Sequence, residues 1–334
     1  MVGIDIGSKS IKIVELVKDS NNWNLKSSGA IGYNGLSPDK MTDEKEFVAL
    51  SEILRKTIKQ IGINEKEVNL SLPEQLVFTR IIKFPLLSDE EIVSAVKWEA
   101  EQYIPIPINE AVIQHQVLSR NDATAQTSVL LVAAPKAIVE KYVKIARLAG
   151  LNPVAAETEL TALARSMSPE TGTSILLDLG ANSIDMAITT GLKVVFTRSI
   201  PVAGEAFTRA VAQSLGINPN QAEEYKKTYG LSAEQLEGKV KSALEPIFRT
   251  VIDEIKKAIH YYQTEEKGEM PTSIVISGGA SLMPSLVSYL TSVLGVETIL
   301  GNPFGKITMD TETAKSLAQY SSIYGTAVGL AMYT

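Results

Sequence analysis

Apolar and polar positions alternate from the first residues of the chain. Ile11 and Ile13 stand between polar neighbours, Asp-Ser-Asn-Asn at 19–22 reads as a turn, and Trp23 and Leu25 resume the alternation. That period of two predicts a strand meander over 1–35. The period then lengthens: Phe47, Leu50, Leu54, Ile58 and Ile61 recur at helical spacing and predict one amphipathic helix. Val68, Leu70 and Leu72 return to alternation, and Pro73, which has no N–H for a ladder, ends the strand.

A compact unit of its own is predicted over 84–152. Ser88 and Glu91 have capping-box spacing for a helix through Trp98 to Gln102, stopped by Pro105 and Pro107. Strands at 111–118 and 128–134 flank a polar loop at 119–126, and a helix over 136–149 ends at Gly150 and Pro153. The second half repeats the opening plan, with strands at 174–179, 183–189 and 193–198. Helices follow at 204–215, 219–229 and 234–265, the last striped by Leu236, Val240, Leu244, Phe248, Val251, Ile255 and Ile259. A strand at 274–277, a helix at 282–294 and a final helix at 317–332 complete the pattern. Gly325 and Gly329 lie four apart on that last helix and would let another helix approach closely.

Within this pattern one motif occurs twice. Ile4-Asp5-Ile6-Gly7-Ser8-Lys9-Ser10-Ile11-Lys12-Ile13 is rewritten as Leu177-Asp178-Leu179-Gly180-Ala181-Asn182-Ser183-Ile184-Asp185-Met186. Each copy is a strand with one Asp, a Gly at the bend, a small polar triplet and a second strand. Such a bend points backbone N–H groups at an anion, and its Asp stands where a phosphate-bound metal would be. Two copies half a chain apart imply a duplicated scaffold gripping one polyphosphate from two sides. A buried strand running into Ser277-Gly278-Gly279 and a helix start would admit a phosphate-bearing ligand closely.

Composition narrows the classes. The 334 residues suit two domains, and 38 acidic against 32 basic residues, with no block of like charge, exclude a broad basic nucleic-acid face. The absence of Cys excludes disulfides and thiolate metal sites and fits a reducing cytoplasm; two His exclude a multi-histidine site. The longest apolar run, 129–134, is far short of a membrane span, and the first strand leaves no room for a signal peptide. Membrane contact is expected only through a partner.

At the two bends, Glu159, the Ala222-Glu223-Glu224-Tyr225-Lys226 helix and the Gly278-Gly279 turn, the chain resembles the actin, sugar-kinase and FtsA superfamily. The resemblance implies an α/β, actin-like (ribonuclease H-like) duplicated two-lobe fold with an FtsA-type inserted α+β subdomain. It implies ATP with Mg²⁺ between the lobes. Asp5 and Asp178 would hold the metal through waters, and Gly7, Ser8, Lys9, Ser10, Gly180, Ala181, Asn182 and Ser183 the phosphates, with Lys12 a phosphate-contacting lysine. Gly204 belongs with this group. Glu223 would bond the ribose, Lys226 lie along the adenine, and Gly278 and Gly279 admit the nucleoside, while Glu159 falls where the family orients attacking water. Ala181 departs from the pattern by lacking a hydroxyl or carboxylate, so tight binding with slow turnover is expected.

Thr79-Arg80-Ile81-Ile82, Ser88-Asp89-Glu90-Glu91 and Trp98-Glu99-Ala100-Glu101-Gln102-Tyr103-Ile104-Pro105 narrow the resemblance to the PilM family of type IV pilus assembly. That family implies an adaptor that binds the N-terminal cytoplasmic tail of an inner-membrane PilN-like protein in a groove at the inserted unit. Contact with the pilus motor ATPase is a further expectation. Arg80, Ile82 and Phe84 are the expected groove residues. The expected division is 1–83 with 153–170 and 317–334 as the first lobe, 84–152 as the insert, 171–202 with 266–316 as the second lobe, and 203–265 as a nucleotide-clamping helical subdomain. The alternatives are an FtsA-like filament-former, against which the lack of a C-terminal membrane-targeting helix counts, the cytoplasmic actin-like domain of a type II secretion protein, and a sugar or acid kinase. A kinase would need an aspartate base in the substrate cleft, and none is singled out near 84–152.

Several residues have plain readings. Glu159 in a first helical turn favours the helix dipole whatever else it does, and Glu223 with Lys226 is also an ordinary i,i+3 pair. His115 alternates with Ile113 and Val117 as a strand residue, and Glu99 and Glu101 read as a solvated helix face.

Overall fold

A computed structural model of the chain describes residues 1–20, 22–122 and 125–333. Asn21 of the expected first turn, residues 123–124 of the expected 119–126 loop and Thr334 of the expected first lobe lie outside the described residues.

The first lobe opens on β1 (Val2–Ile6), β2 (Ser10–Asp19) and β3 (Asn22–Gly32), followed by α1 (Glu44–Gln60) and β4 (Glu67–Leu72). Every residue of β1 is buried, Asp5 included, because it is a central strand, antiparallel to β2 and parallel to β4. The chain continues through β5 (Phe78–Pro85), α2 (Asp89–Tyr103), β6 (Ala111–Asn121), β7 (Gln126–Pro135), α3 (Lys136–Leu148) and β8 (Asn152–Thr158). After α4 (Glu159–Met167) the second lobe repeats the meander as β9 (Thr173–Leu179), β10 (Ile184–Thr190) and β11 (Lys193–Ile200). Then come α5 (Gly204–Leu215), α6 (Pro219–Tyr229), α7 (Lys239–Thr264), β12 (Ser273–Ser277), α8 (Leu286–Leu294), β13 (Glu297–Leu300), β14 (Ile307–Thr308), α9 (Thr311–Ala318) and α10 (Gly325–Ala331).

Among the described residues the strands form three sheets, in the orders β14-β3-β2-β1-β4-β8, β11-β10-β9-β12-β13 and β5-β7-β6. The third sheet has a separate core, where Ile92, Val96 and Ala100 of α2 meet Ile82, Phe84, Val129 and Leu131. The capping box at Ser88 and Glu91 starts α2 as expected. Helix α3, expected inside the inserted unit, instead buries Tyr142, Ile145 and Ala146 in the first-lobe core beside Leu54 and Leu70. Its apolar stripe is taken by the first lobe, so the separate unit spans β5 to β7.

Three expected helices change shape. Leu236 and Glu237 take positive φ (48° and 53°), so α7 starts at Lys239 and Leu236 leaves its stripe. Pro284 and the left-handed Ser285 delay α8 to Leu286. The expected helix over 317–332 splits into α9, a short tight turn at 321–324 and α10.

Helices α4 and α10 form the layer between the lobes. Leu160, Leu163 and Ala164 of α4 pack with Leu176, Ala187 and Val275 of the second sheet, while Ala327, Val328 and Ala331 of α10 pack with Val14 and Leu16 of the first. The two helices meet where Gly325 and Gly329 have no side chains: a Cβ on Gly329 would overlap the carbonyl group of Ala162, and one on Gly325 the Leu163 side chain.

Candidate nucleotide cleft

The two bends have the same local structure. The Gly7 N–H donates to Ser10 O at 3.1 Å and the Gly180 N–H to Ser183 O at 3.0 Å. In the first copy Asp5 pairs across the hairpin with Lys12; in the second, Asp178 pairs with Asp185. The duplication therefore carries a charge reversal at its ninth position. Lys12 Nζ donates to Asp5 Oδ2 at 2.9 Å, and Ser71 Oγ donates to Asp5 Oδ1 at 2.9 Å. Tyr33 OH donates to the Gly7 carbonyl at 2.7 Å and braces the bend from below.

Acid groups converge on this point. Burial and the charge of Asp185 push the Glu74 carboxyl up to about 7. Burial pushes Asp178 up to about 7 as well, against the pull of Lys12 and with the help of Asp5 and Asp185. Glu159 is held well above the usual range by burial, then by Asp5, Asp185 and Asp178, and it accepts the Glu74 N–H at 3.2 Å. Burial raises Asp185 too, although Ser183 Oγ donates to its Oδ2 at 2.6 Å. For Lys12, burial works to lower its pKa, but the charge and hydrogen bond of Asp5 outweigh it and the net shift is upward.

The second lobe clamps its own bend. The N–H groups of Gly204 and Glu205 at the start of α5 donate to Gly180 O (3.1 Å) and Ala181 O (2.9 Å). A Cβ at Gly204 would stand 3.2 Å from Gly180 O, so the close approach uses glycine. Across the lobes, Lys9 meets Glu205 at 2.9 Å. Lys226 is buried, its ammonium bonded to Glu223 (2.6 Å), Thr208 (2.9 Å) and Gly204 O (3.0 Å), and burial lowers its pKa. It therefore braces α6 against α5 and aims Glu223, which Thr208 also bonds. Gly278, at φ +85°, presses on Asp178 and Leu179 where any Cβ would overlap, whereas the Cβ position of Gly279 opens on free space.

Sequence reasoning missed Asp185 and Glu74. The aligned copies carried the signal for Asp185, a carboxylate standing where Lys12 stands; nothing in the sequence marks Glu74. The expectation that Ile82 and Phe84 line a groove is corrected: both are buried, at 8% and 7% exposure, in the core under α2. Arg80 stays exposed, its guanidinium 3.8 Å from the centre of the Tyr103 ring.

Among the described residues no three carboxylates or histidines stand close enough to ligate a metal directly. Asp185 Oδ1 and Glu74 Oε2 are nevertheless buried without partners. This donor set fits a hydrated magnesium carried on a polyphosphate, which keeps most of its waters, and does not fit a protein cage.

Two meander-based lobes with facing glycine bends, joined by a helical layer, define an actin-like fold. The family model described as type IV pilus assembly protein PilM matches residues 3–334, and the chain belongs to that family. It is similar to a solved PilM-PilN type IV pilus biogenesis complex, at 26% identity over 99% of this chain and 97% of that one, TM-score 0.84. Cell division protein FtsA of Enterococcus hirae is 24% identical over 90% of this chain and 78% of its own length. The fold is shared with MreB5 of Spiroplasma citri bound to ADP, at 15% identity over 98% of this chain and 94% of that one, TM-score 0.54. No helix among the described residues is long and apolar enough to cross a membrane.

Proposed function

We propose that this chain is an ATP-binding adaptor that takes Mg-ATP between its lobes and the N-terminal tail of a PilN-like inner-membrane protein at its inserted sheet. The observation that carries the nucleotide reading is the convergence of both bends on one acid cluster served by Lys12. Backbone N–H groups at 8–10 and 181–183 would hold phosphates, those of Gly7 and Gly180 being spent on Ser10 O and Ser183 O to shape the bends; Glu223 would hold the ribose, and Gly279 leaves room for the nucleoside. Asp5 and Asp178 would accept from the metal's waters; the metal supplies charge neutralisation on the phosphates. Glu159 would orient the attacking water, and Ala181, which offers no hydroxyl or carboxylate beside it, supports slow hydrolysis.

The partner reading is supported by the resemblance to the PilM-PilN complex and by apolar exposure on the insert, where Trp98 is 64% exposed and Val93 57%. Arg80 and Tyr103 replace Ile82 and Phe84 as the groove edge. The insert also touches the second lobe: Lys83 pairs with Glu266 at 2.7 Å, and Lys193 donates to Leu118 O. Lobe closure thereby has a route to the partner surface. A docking role toward the pilus motor ATPase belongs to the same reading.

The test is the affinity of a PilN-type N-terminal peptide with and without Mg-ATP. Binding that strengthens about 5-fold or more with nucleotide is expected. Asp5→Ala and Asp178→Ala should each weaken Mg-ATP binding at least ~100-fold, the loss typical of a removed buried charge partner. Intact nucleotide affinity in both would end the site assignment, and no peptide binding under either condition would end the adaptor assignment. The double variant Lys83→Ala/Lys193→Ala should keep both single affinities and lose the coupling between them; coupling of wild-type size would show that closure reaches the groove by another route.

A further inference from the structure

We propose that Lys12 is a tethered counter-ion, occupying Asp5 until a phosphate group draws its ammonium away, so that metal and nucleotide can enter only together. This inference rests on the nucleotide reading above. Its starting point is the asymmetry of the duplicated bend. At one position the first copy carries a cation, Lys12, and the second an anion, Asp185, each set against the aspartate of its own hairpin.

The placement of Lys12 is specific. Its side chain is 13% exposed and its Nζ lies 2.9 Å from Asp5 Oδ2. The same Nζ would stand 3.4 Å from a Cβ on Gly7, so the ammonium sits beside the first glycine bend as well as beside Asp5. Asp178 of the other lobe and Glu159 feel its charge as well as Asp5. The Asp5 oxygens are thus both engaged, Oδ2 by Lys12 and Oδ1 by Ser71. A divalent cation arriving alone meets an ammonium on the carboxylate it needs, and like charges at this range repel strongly in a buried site. A polyphosphate changes that balance. Its oxygens offer Lys12 a stronger charge-assisted partner, the ammonium moves from Asp5 towards the Gly7 bend, and Asp5 is freed for the metal's waters. Lys9, the other lysine of this bend, is engaged by Glu205 across the lobes and does not duplicate the role.

The experiment is binding of Mn²⁺ alone, without nucleotide, followed by electron paramagnetic resonance. Wild type is compared with Lys12→Met, Lys12→Arg and the double variant Lys12→Met/Asp5→Asn. Lys12→Met should bind Mn²⁺ at least ~10-fold more tightly than wild type, within the usual range of coupling between sites. Lys12→Arg, which keeps the charge, should resemble wild type, and the double variant should lose the gain. If Lys12→Met fails to fold, Lys12→Gln carries the same comparison. Equal Mn²⁺ affinity in wild type and Lys12→Met, or a gain that survives Asp5→Asn, overturns the proposal. ATP binding to wild type is measured in parallel. A Mn²⁺ gain without ATP binding would remove the nucleotide reading and leave the counter-ion, and ATP binding without the gain would do the reverse.

Discussion

Gly329→Ala is expected to cost at least ~5 kcal/mol of stability, beyond the usual range for a point substitution. The added methyl would fall inside the carbonyl group of Ala162, and backbone cannot step aside as a side-chain tip can. Helix α10 has no room to retreat. It is buried along its whole length, and Gly3 of β1 presses on Ala327 and Ala331 from the other side. Separating α4 from α10 would also part the layer that joins the two sheets. Chemical denaturation measures the loss, with Gly32→Ala as the control, since its Cβ would meet only the Lys9 carbonyl at 3.9 Å. A Gly329→Ala protein within about 1 kcal/mol of that control would show that α4 and α10 are not in the contact described here.

The second large effect is a fall in stability as pH rises. Glu74 is 4% exposed, its Oε2 has no partner, and its carboxyl is pushed from 4.5 up to about 7 by burial and by Asp185. Between those two values the folded chain holds a proton that the unfolded chain has released. Stability from this group is therefore complete below about pH 4.5 and lost by about pH 7. From about pH 5.5 to 7 the loss is roughly 2 kcal/mol at about 1.4 kcal/mol per unit. Asp178, raised to about 7, and Glu159, raised well above its ordinary value, act in the same direction. Exposed carboxylates such as Glu170 and Asp310 are lowered by their hydrogen bonds and titrate below this window. The urea midpoint should fall between about pH 5.5 and 8, and Glu74→Gln should flatten the slope. A midpoint that rises with pH would mean that these acids are compensated by charges elsewhere.

Much of the cleft was legible because its parts are local. A strand, a glycine bend and a second strand are specified by about ten neighbouring residues, and finding them twice gave Asp5, Asp178 and the bends. The same holds for α2, whose start is set by Ser88 and Glu91 within one turn. Partnership was less legible. Helix α3 has a good apolar stripe, but a stripe does not say which core will cover it, and the first lobe did. Ile82 and Phe84 alternate as any strand residues do, and only the position of α2 turned them inward.

The sequence by itself therefore determined the duplicated scaffold, the glycine bends and the glycine pair on α10, because these depend on backbone freedom and on residues a few positions apart. Only the tertiary structure decided the electrostatics of the site. Glu74, Glu159 and Asp185 lie far apart along the chain, and their shared burial, not their identity, raises their pKa values and leaves Lys12 to hold Asp5.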